Sequence, residues 1–149
     1  MVEHVGREKL STFQRLCRLR SRPRRSFPPH FISGMDEKPG DAWMSKYIFP
    51  GGMLPSLREM ISDMTDDKFH VLDVENLRMH YNKTLLEWDK NFRAKLPIIR
   101  QKFDERFIRM WDLYLNGCAA AFANGMMDLH QILATKGINN DYRSTDVGI

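Results

Sequence analysis

Residues 80–92 read HYNKTLLEWDKNF, and their apolar side chains recur at the spacing of an α-helix. Tyr81, Leu85, Trp88 and Phe92 follow one another in steps of four, three and four residues, which places them on one helix face. That face is predicted to pack against a core, with Tyr81 half buried. A buried phenol needs a hydrogen-bond partner, which can be a protein group, a water or a ligand, and this stretch alone leaves the three alternatives open.

The positive charge of the chain is concentrated in one segment. The chain has 149 residues, a length that suits one domain or part of one, and it carries a net charge of +4. Residues 15–25, RLCRLRSRPRR, contain six arginines and no acid, so the rest of the chain is close to neutral. Any anionic partner must therefore be sought at this arginine run, and nothing in the sequence predicts specific nucleic-acid recognition.

The cysteines and the termini indicate a cytoplasmic protein. Cys17 and Cys118 lie far apart without metal-ligand spacing, which argues against a zinc site or a disulfide framework. The first residues, MVEHVGREKL, are charged where a signal peptide would be apolar. An uninterrupted apolar run of about 18 residues is also missing from the sequence, so no membrane span is predicted.

The first half of the chain is predicted to alternate helices and strands. Leu10, Phe13, Leu16 and Cys17 share one face of a short helix over 7–19. The other expected elements are a strand broken by Pro23, Pro28 and Pro29, a tight apolar turn at Pro50-Gly51-Gly52 within 47–56, a short helix with Leu57, Met60 and Ile61, and a mostly buried strand over 69–77.

The second half is predicted to contain two helices and a strand. The helix of residues 80–92 should end near Pro97, because the residue before a proline disfavours helical geometry. A longer amphipathic helix over 103–125 is terminated by Gly125, and a final strand over 126–137 precedes a frayed tail. This order of elements predicts an α/β fold whose sheet is incomplete.

Five motifs in order carry a family resemblance: EHVG at 3–6, HFISG at 30–34, DAWMSKYIFPGGMLPS at 41–56, HYNKTLLEWDKNF at 80–92 and DERFIRMWDLYLNGCAAAF at 104–122. With them the chain resembles the C-terminal half of cyclopropane-fatty-acyl-phospholipid synthases. The resemblance implies the C-terminal half of a Rossmann-like class I methyltransferase fold with inserted helices. It also implies a partial catalytic domain over 1–142, followed by a tail at 143–149.

The resemblance implies chemistry on a lipid. In such synthases a methyl group passes from S-adenosylmethionine to a cis double bond of a phospholipid acyl chain, and the resulting carbocation loses a proton as the ring closes. A bicarbonate ion beside the reacting carbon would be held by Glu3, His30, the backbone of Ile32 and Tyr81. A fixed anion in a water-excluded site suits a carbocation, since it stabilises positive charge and accepts the final proton.

The resemblance also implies where the acyl chain and the partners bind. Phe49, Tyr114, Cys118 and Phe122 would line the acyl channel, although the last three also form a stripe that is ordinary helix core. The expected partners are a phospholipid membrane surface, unsaturated acyl chains and a separately encoded N-terminal half. The expected location is the cytoplasm, peripheral to the inner membrane face.

The chain departs from the family pattern in its cofactor site. The glycine-rich strand-to-helix turn that cradles S-adenosylmethionine in this family has no match here, so the chain is expected to be inactive alone. Arg24-Arg25 and Pro28-Pro29 also replace family glycines and apolar residues, as a short out-of-frame stretch would. Two alternatives stay open: a fragment of a related S-adenosylmethionine-dependent N-methyltransferase, and a non-enzymatic basic protein that binds polyanions.

Overall fold

The computed structural model describes residues 2–20, 26–37 and 40–140, without the side chains of 26–27. The chain divides into two compact units, one of Met1–Asn76 with Leu129–Ile149 and one of Leu77–Asp128. Residues 21–25, with Pro23 and three of the six arginines of the arginine run, and the predicted tail at 143–149 lie outside the described residues.

The elements of the first unit alternate helices and strands, as predicted. Two 3-10 turns, Val2–His4 and Arg7–Lys9, precede α1 (Leu10–Arg20), β1 (Ser26–Phe27), β2 (His30–Gly34), α2 (Ala42–Tyr47), α3 (Leu57–Asp66) and β3 (Phe69–Asn76). The second unit holds α4 (Arg78–Ala94), α5 (Leu96–Ile99) and α6 (Glu105–Ala123), after which β4 (Met127–Lys136) returns the chain to the first unit. Helix α2 was not predicted, because its six residues are too few to show a helical period.

Strand β4 lies at the centre of the sheet. It pairs antiparallel with β3, from Phe69 opposite Lys136 to Asn76 opposite His130. It also pairs with β2, and with β1 along the edge opposite β3, because Ala134 faces residues of both β1 and β3. Pro28-Pro29 separates β1 from β2, as predicted for residues that lack the N–H of a strand ladder.

The first unit is closed by an apolar core rich in methionine. Its buried members come from the first turn, α1, β2, α3, β3, β4 and the loop before α3: Val2, Leu10, Phe31, Met53, Met60, Met64, Phe69, Ile132 and Ala134. Helix α3 begins with a capping box, in which Ser56 and Glu59 each accept from the other's backbone N–H. The predicted helix at this position is confirmed.

Two predictions of burial in the first unit are wrong. Leu16 of α1 is 52% exposed, and Gln14 is buried with its amide 3.4 Å from the sulfur of Met60. The buried face of α1 runs along Leu10 and Gln14. Leu16 comes six residues after Leu10, which places it about 120° around the helix axis from that residue and away from the buried face. In β3 only Phe69 is buried, because α3 packs against the face that carries it while Leu72 remains exposed.

The second unit is built on packing between α4 and α6. Leu85, Leu115 and Phe122 are fully buried, and the side-chain amide of Asn82 donates to the carbonyl of Ala119 at 2.8 Å. The Arg78 guanidinium donates to the carbonyls of Phe122 and Ala123, at 2.5 and 2.9 Å. This cation satisfies carbonyls at the end of α6 that have no partner within the helix.

The predicted helix over 80–92 and its end near Pro97 are confirmed, but its apolar face differs from the prediction. Helix α4 ends at Ala94, and Pro97 lies in the first turn of α5, where its missing N–H breaks no helical bond. Trp88 is 45% exposed, so the predicted stripe is only partly turned inward. Helix α6 ends as predicted, with Gly125 at a positive φ of 72° just beyond it.

Two glycines of the second unit give a matched test of this helix end. Neither Gly125 nor Gly117 has an atom within 4 Å of the position of an added Cβ, but only Gly125 has a positive φ. Gly125→Ala should destabilise the chain by about 1 kcal/mol, because L-residues are strained there. Gly117→Ala, inside α6, should stabilise it by about 0.5 to 1 kcal/mol. Urea unfolding measures both, and equal effects of the two changes would contradict the helix end.

Candidate functional site

Glu3 and Ile32 meet directly in the first unit. Glu3 lies in the turn Val2–His4, which is anchored by buried Val2 and by the Met53 N–H, whose distance to the Glu3 carbonyl is 2.8 Å. The backbone N–H of Ile32 donates to Glu3 Oε1, also at 2.8 Å. Two of the four predicted bicarbonate ligands are therefore in contact, with the carboxylate bound to the backbone donor.

The Glu3 carboxyl group is held in its charged form. Burial raises its pKa, but the hydrogen bonds that the carboxylate accepts, including the one from Ile32, lower it further than burial raises it. The net result is a pKa below the ordinary 4.5. A fixed negative charge therefore stands beside strand β2 at neutral pH.

The Pro-Gly turn positions the backbone near Glu3. The Gly52 N–H donates to the Phe49 carbonyl at 2.9 Å, and Gly51 between them has a φ of 73°. This is the tight turn predicted for these residues, with proline and glycine where such turns favour them. An added Cβ on Gly52 would lie 3.0 Å from Phe49 atoms and 3.7 Å from the Glu3 carbonyl. The turn thus brings the next residue, Met53, to the carbonyl of Glu3.

A buried polar pair fixes the strand that carries Ile32. Ser33 Oγ and His130 Nδ1 are hydrogen bonded at 2.9 Å, and both residues are buried. The His130 ring also lies 5.9 Å from that of Phe31. These contacts tie β2 to β4 through side chains. Neither residue was predicted, although the alternation of β2 places Ser33 on the same face as apolar Phe31, which was a visible signal.

His30 lies on the same strand but is exposed. It begins β2, and the alternation of a strand places its side chain on the same face as that of Ile32, opposite buried Phe31 and Ser33. Among the described residues its imidazole makes no hydrogen bond. The structure therefore brings Glu3 and Ile32 together and leaves the His30 side chain pointing to solvent on the neighbouring part of the strand.

Tyr81 lies in the second unit, in an aromatic cluster. Its half-buried ring is 5.0 Å from that of Phe122 and 6.1 Å from that of Trp88. Tyr114 and Cys118 follow Phe122 back along one buried face of α6. Burial raises the pKa of Cys118 to about 11, and burial with the nearby Cys118 and Tyr81 raises that of Tyr114 to about 12.

The predicted acyl-binding residues are divided between the two units. Tyr114, Cys118 and Phe122 are buried together in the second unit, and their raised pKa values keep the thiol and the phenol neutral at physiological pH. Such a surface is apolar enough to contact a hydrocarbon chain. Phe49 belongs to the first unit, where its ring is exposed and lies 5.8 Å from that of His4.

The described residues do not form a cradle for S-adenosylmethionine. Such a cradle needs a glycine-rich turn between a strand and the helix after it, where backbone N–H groups approach the ligand closely. In the described part of the chain β3 passes to α4 through Leu77 without a glycine, and β2 is followed by a longer connection, Met35 onwards, before α2.

Comparison with known proteins decides the family. The model of the mycolic acid cyclopropane synthetase family matches residues 1–132. The chain belongs to this family. The resemblance drawn from the five motifs is confirmed, and the motifs all lie within the matched range.

Curated relatives point to the same group. The chain is 36% identical to the cyclopropane-fatty-acyl-phospholipid synthase of Escherichia coli over 144 residues, which are 96% of this chain and 37% of that protein. It is also 36% identical to a probable fatty acid methyltransferase of Pseudomonas putida, over 91% of this chain and 36% of the relative. The chain thus spans little more than a third of the length of these relatives.

Solved structures confirm the fold. A mycolic acid cyclopropane synthase in complex with SAH and CTAB is 27% identical and superposes with a TM-score of 0.83, over 90% of this chain and 52% of that one. A cyclopropane synthase from Mycobacterium tuberculosis gives the same TM-score at 22% identity, over the same shares. The predicted class, an α/β methyltransferase fold with an incomplete sheet, is confirmed.

None of the helices in the described part of the chain is both long and apolar enough to cross a membrane.

The contact between Glu3 and Ile32 predicts how stability depends on pH. Because the pKa of Glu3 is lowered on folding, its contribution is fully present above the ordinary value of 4.5 and is lost as the pH falls through the folded-state pKa. Glu3→Gln keeps an acceptor oxygen but loses the charge, so it should cost about 1 kcal/mol at neutral pH. Urea unfolding of both proteins should show this difference shrinking below pH 4.5.

Glu8→Gln is the matched control, because Glu8 is an exposed acid in the next 3-10 turn. This change should alter the free energy of unfolding by less than about 0.5 kcal/mol at either pH. A Glu3→Gln difference that stays constant from neutral to acidic pH would show that the carboxylate charge has no role in this contact.

Proposed function

We propose that this chain forms part of an enzyme that transfers a methyl or methylene group from S-adenosylmethionine to the cis double bond of an unsaturated phospholipid acyl chain. The observation that carries the proposal is the contact between Glu3 and the Ile32 N–H at 2.8 Å, because it joins two motifs that lie far apart in the sequence. The identity of 36% to the synthase of Escherichia coli supports the same reaction class.

In the proposed site bicarbonate would be held by Glu3, His30, the Ile32 N–H and Tyr81. Glu3 would accept the hydrogen bond of the bicarbonate O–H, while the other three groups would donate to its oxygens. When bound, the ion would supply negative charge and a base. The donor set fits an oxyanion, but Glu3 occupies the Ile32 N–H in this structure, so binding would require the carboxylate to release or share it.

The second unit supports a lipid substrate. Tyr114, Cys118 and Phe122 give a neutral, buried and apolar surface on one face of α6. Water exclusion by such a surface would protect a carbocation and strengthen its interaction with a nearby anion. We therefore assign these three residues, with Phe49, to the acyl chain. We further propose that the enzyme acts in the cytoplasm at the inner membrane face.

The remaining part of the enzyme would supply the cofactor cradle, so the chain alone should bind S-adenosylmethionine very weakly. Isothermal calorimetry of residues 1–149 should show no binding in the micromolar range. Fusion to the N-terminal portion of the Escherichia coli synthase, with 18–29 replaced by the matching apolar strand, should restore transfer of labelled methyl groups to unsaturated phospholipid. The N-terminal portion alone is the control. A fusion with the expected circular dichroism spectrum but no transfer would contradict the proposed function.

Tyr81 can be tested as a ligand in the active fusion. Tyr81→Phe removes one hydroxyl but leaves the ring packed against Phe122 and Trp88, so stability should change little. Losing one preorganised donor in an oxyanion site costs about 2.7 to 4 kcal/mol of transition-state stabilisation, or roughly a hundredfold or more in turnover. Added bicarbonate should restore part of the rate by mass action.

Tyr47→Phe provides the control, since Tyr47 is an exposed tyrosine at the end of α2. It should leave turnover and the bicarbonate response unchanged. A Tyr81→Phe enzyme with normal turnover at low bicarbonate would remove Tyr81 from the ligand set and return it to a packing role.

A further inference from the structure

The connection between α4 and α6 has an unusual composition. Residues 90–103, KNFRAKLPIIRQKF, contain five basic residues and no acidic one, although acidic residues outnumber basic ones in the rest of the chain outside the arginine run. Residues 95–103 of this segment, named here the tip, join the two long helices through α5. Basic and apolar residues therefore alternate within a few positions at one end of the second unit.

The backbone of the tip is internally satisfied. The N–H groups of Ile98 and Ile99 donate to the Lys95 carbonyl at 3.0 Å, and those of Lys102 and Phe103 donate to the Ile99 carbonyl at 2.9 Å. These bonds hold the connection as a compact helical turn. The backbone of the tip is thus ordered, and this fixes the positions from which its side chains project.

The tip holds two large apolar side chains in solvent. Ile98 is 54% exposed and Phe103 is 48% exposed. Single exposed apolar residues are ordinary, but two on one ordered turn among lysines resemble the surface that enters a lipid interface. The stems of Lys95 and Lys102 can lie along the same apolar surface while their charges remain in water.

The lysines of the tip are available to a partner. Arg93 is bound by Asp89 and Asp112, and Arg100 by Glu105 at 2.7 Å, so these arginines are already neutralised within the unit. Lys95 and Lys102 make no ion pair with any described residue. Their charges are therefore free to attract an anionic surface.

A row of aromatic rings connects the tip to the buried cluster. Phe103 stacks on Phe107 at 4.2 Å, Phe107 lies 5.9 Å from Trp111, and Trp111 lies 5.1 Å from Tyr114. Exposure falls along this row from Phe103 to buried Tyr114. The row thus offers continuous apolar contact from Phe103 of the tip to Tyr114, one of the residues assigned to the acyl chain.

We propose that the tip docks on an anionic phospholipid bilayer, with Ile98 and Phe103 inserted at the headgroup level and Lys95 and Lys102 bound to lipid phosphates. The choice of a bilayer rather than a protein partner rests on the proposed function and on the aromatic row. The combination of free lysines with exposed apolar side chains matches a surface that is anionic outside and apolar beneath.

Vesicle sedimentation of the 149-residue chain tests the charges. Vesicles of phosphatidylglycerol with phosphatidylcholine should bind the chain at low salt, and pure phosphatidylcholine should bind it far less. Lys95→Glu with Lys102→Glu should weaken binding roughly tenfold or more, since each lysine near such a surface contributes about fivefold. Lys83→Glu, an exposed lysine of α4 outside the tip, is the control and should have a much smaller effect.

A second pair of variants tests the apolar contact. Ile98→Ser with Phe103→Ser should reduce binding several-fold even at the salt concentration that abolishes the contribution of the lysines. Leu113→Ser is the control, because Leu113 is 56% exposed on α6 away from the tip. Arg15→Gln with Arg20→Gln measures the contribution of the arginine run separately, and should lower only the salt-sensitive part of binding.

Several outcomes would overturn the docking proposal. Parent-like binding by both tip variants would do so, as would loss of binding only in the α1 arginine variant, or a dimer in sedimentation equilibrium that the tip variants abolish. Circular dichroism of each variant shows that the helices persist. Activity of the fusion on detergent-dispersed phospholipid separates the two proposals, since it requires the proposed chemistry but no bilayer docking.

Discussion

The sheet of the first unit depends on β4, the last strand in the sequence. Ala134 and Thr135 pair with β1 on one side and with β3 on the other, so neither edge has a ladder until β4 is in place. The same strand contributes buried Ile132 to the core and buried His130 to the bond with Ser33. Since β4 follows the entire second unit, its pairing closes a long loop, and such non-local contacts form slowly.

The contact between Glu3 and Ile32 is a consequence of this arrangement. Ile32 lies on β2 between two residues that face the core, and Ser33 is fixed to β4 by His130. The N–H of Ile32 therefore has a defined direction before any ligand is considered. Glu3 reaches it because its own carbonyl is held by Met53, which follows the Pro-Gly turn. Three sequence-distant segments thus position one carboxylate.

Local signals predicted the elements whose formation depends on local interactions. The apolar spacing of α3 and α6, the glycine that ends α6 and the Pro-Gly turn were all readable because neighbouring residues determine them. The Gln14 burial, the exposure of Trp88 and the Ser33–His130 bond depend on which distant element arrives, so periodicity alone could not predict them. Helix α2 was not predicted for a different reason: its six residues are too few to show a helical period, although Asp41 caps it.

The candidate site was predictable only through the motifs. Glu3 and His30 are ordinary surface residues by composition, and their joint occurrence with Tyr81 at family positions singled them out. The structure adds the contact of Glu3 with Ile32, which brings two of the proposed ligands together. The division of the chain into two units explains why the sequence analysis could name the residues but not their geometry: Tyr81 and Ile32 are positioned by different cores.

The two units also differ in the charge states that they favour. In the first, hydrogen bonds to Glu3 outweigh burial and keep a carboxylate ionised. In the second, burial keeps the Cys118 thiol and the Tyr114 phenol neutral. Chemistry that passes through a carbocation needs both properties, because the cation must meet fixed negative charge but no nucleophile that would capture it. A thiolate at Cys118 would be such a nucleophile, and burial without a cationic partner suppresses it. The raised pKa of a cysteine is therefore as relevant to the proposed reaction as the lowered pKa of a glutamate.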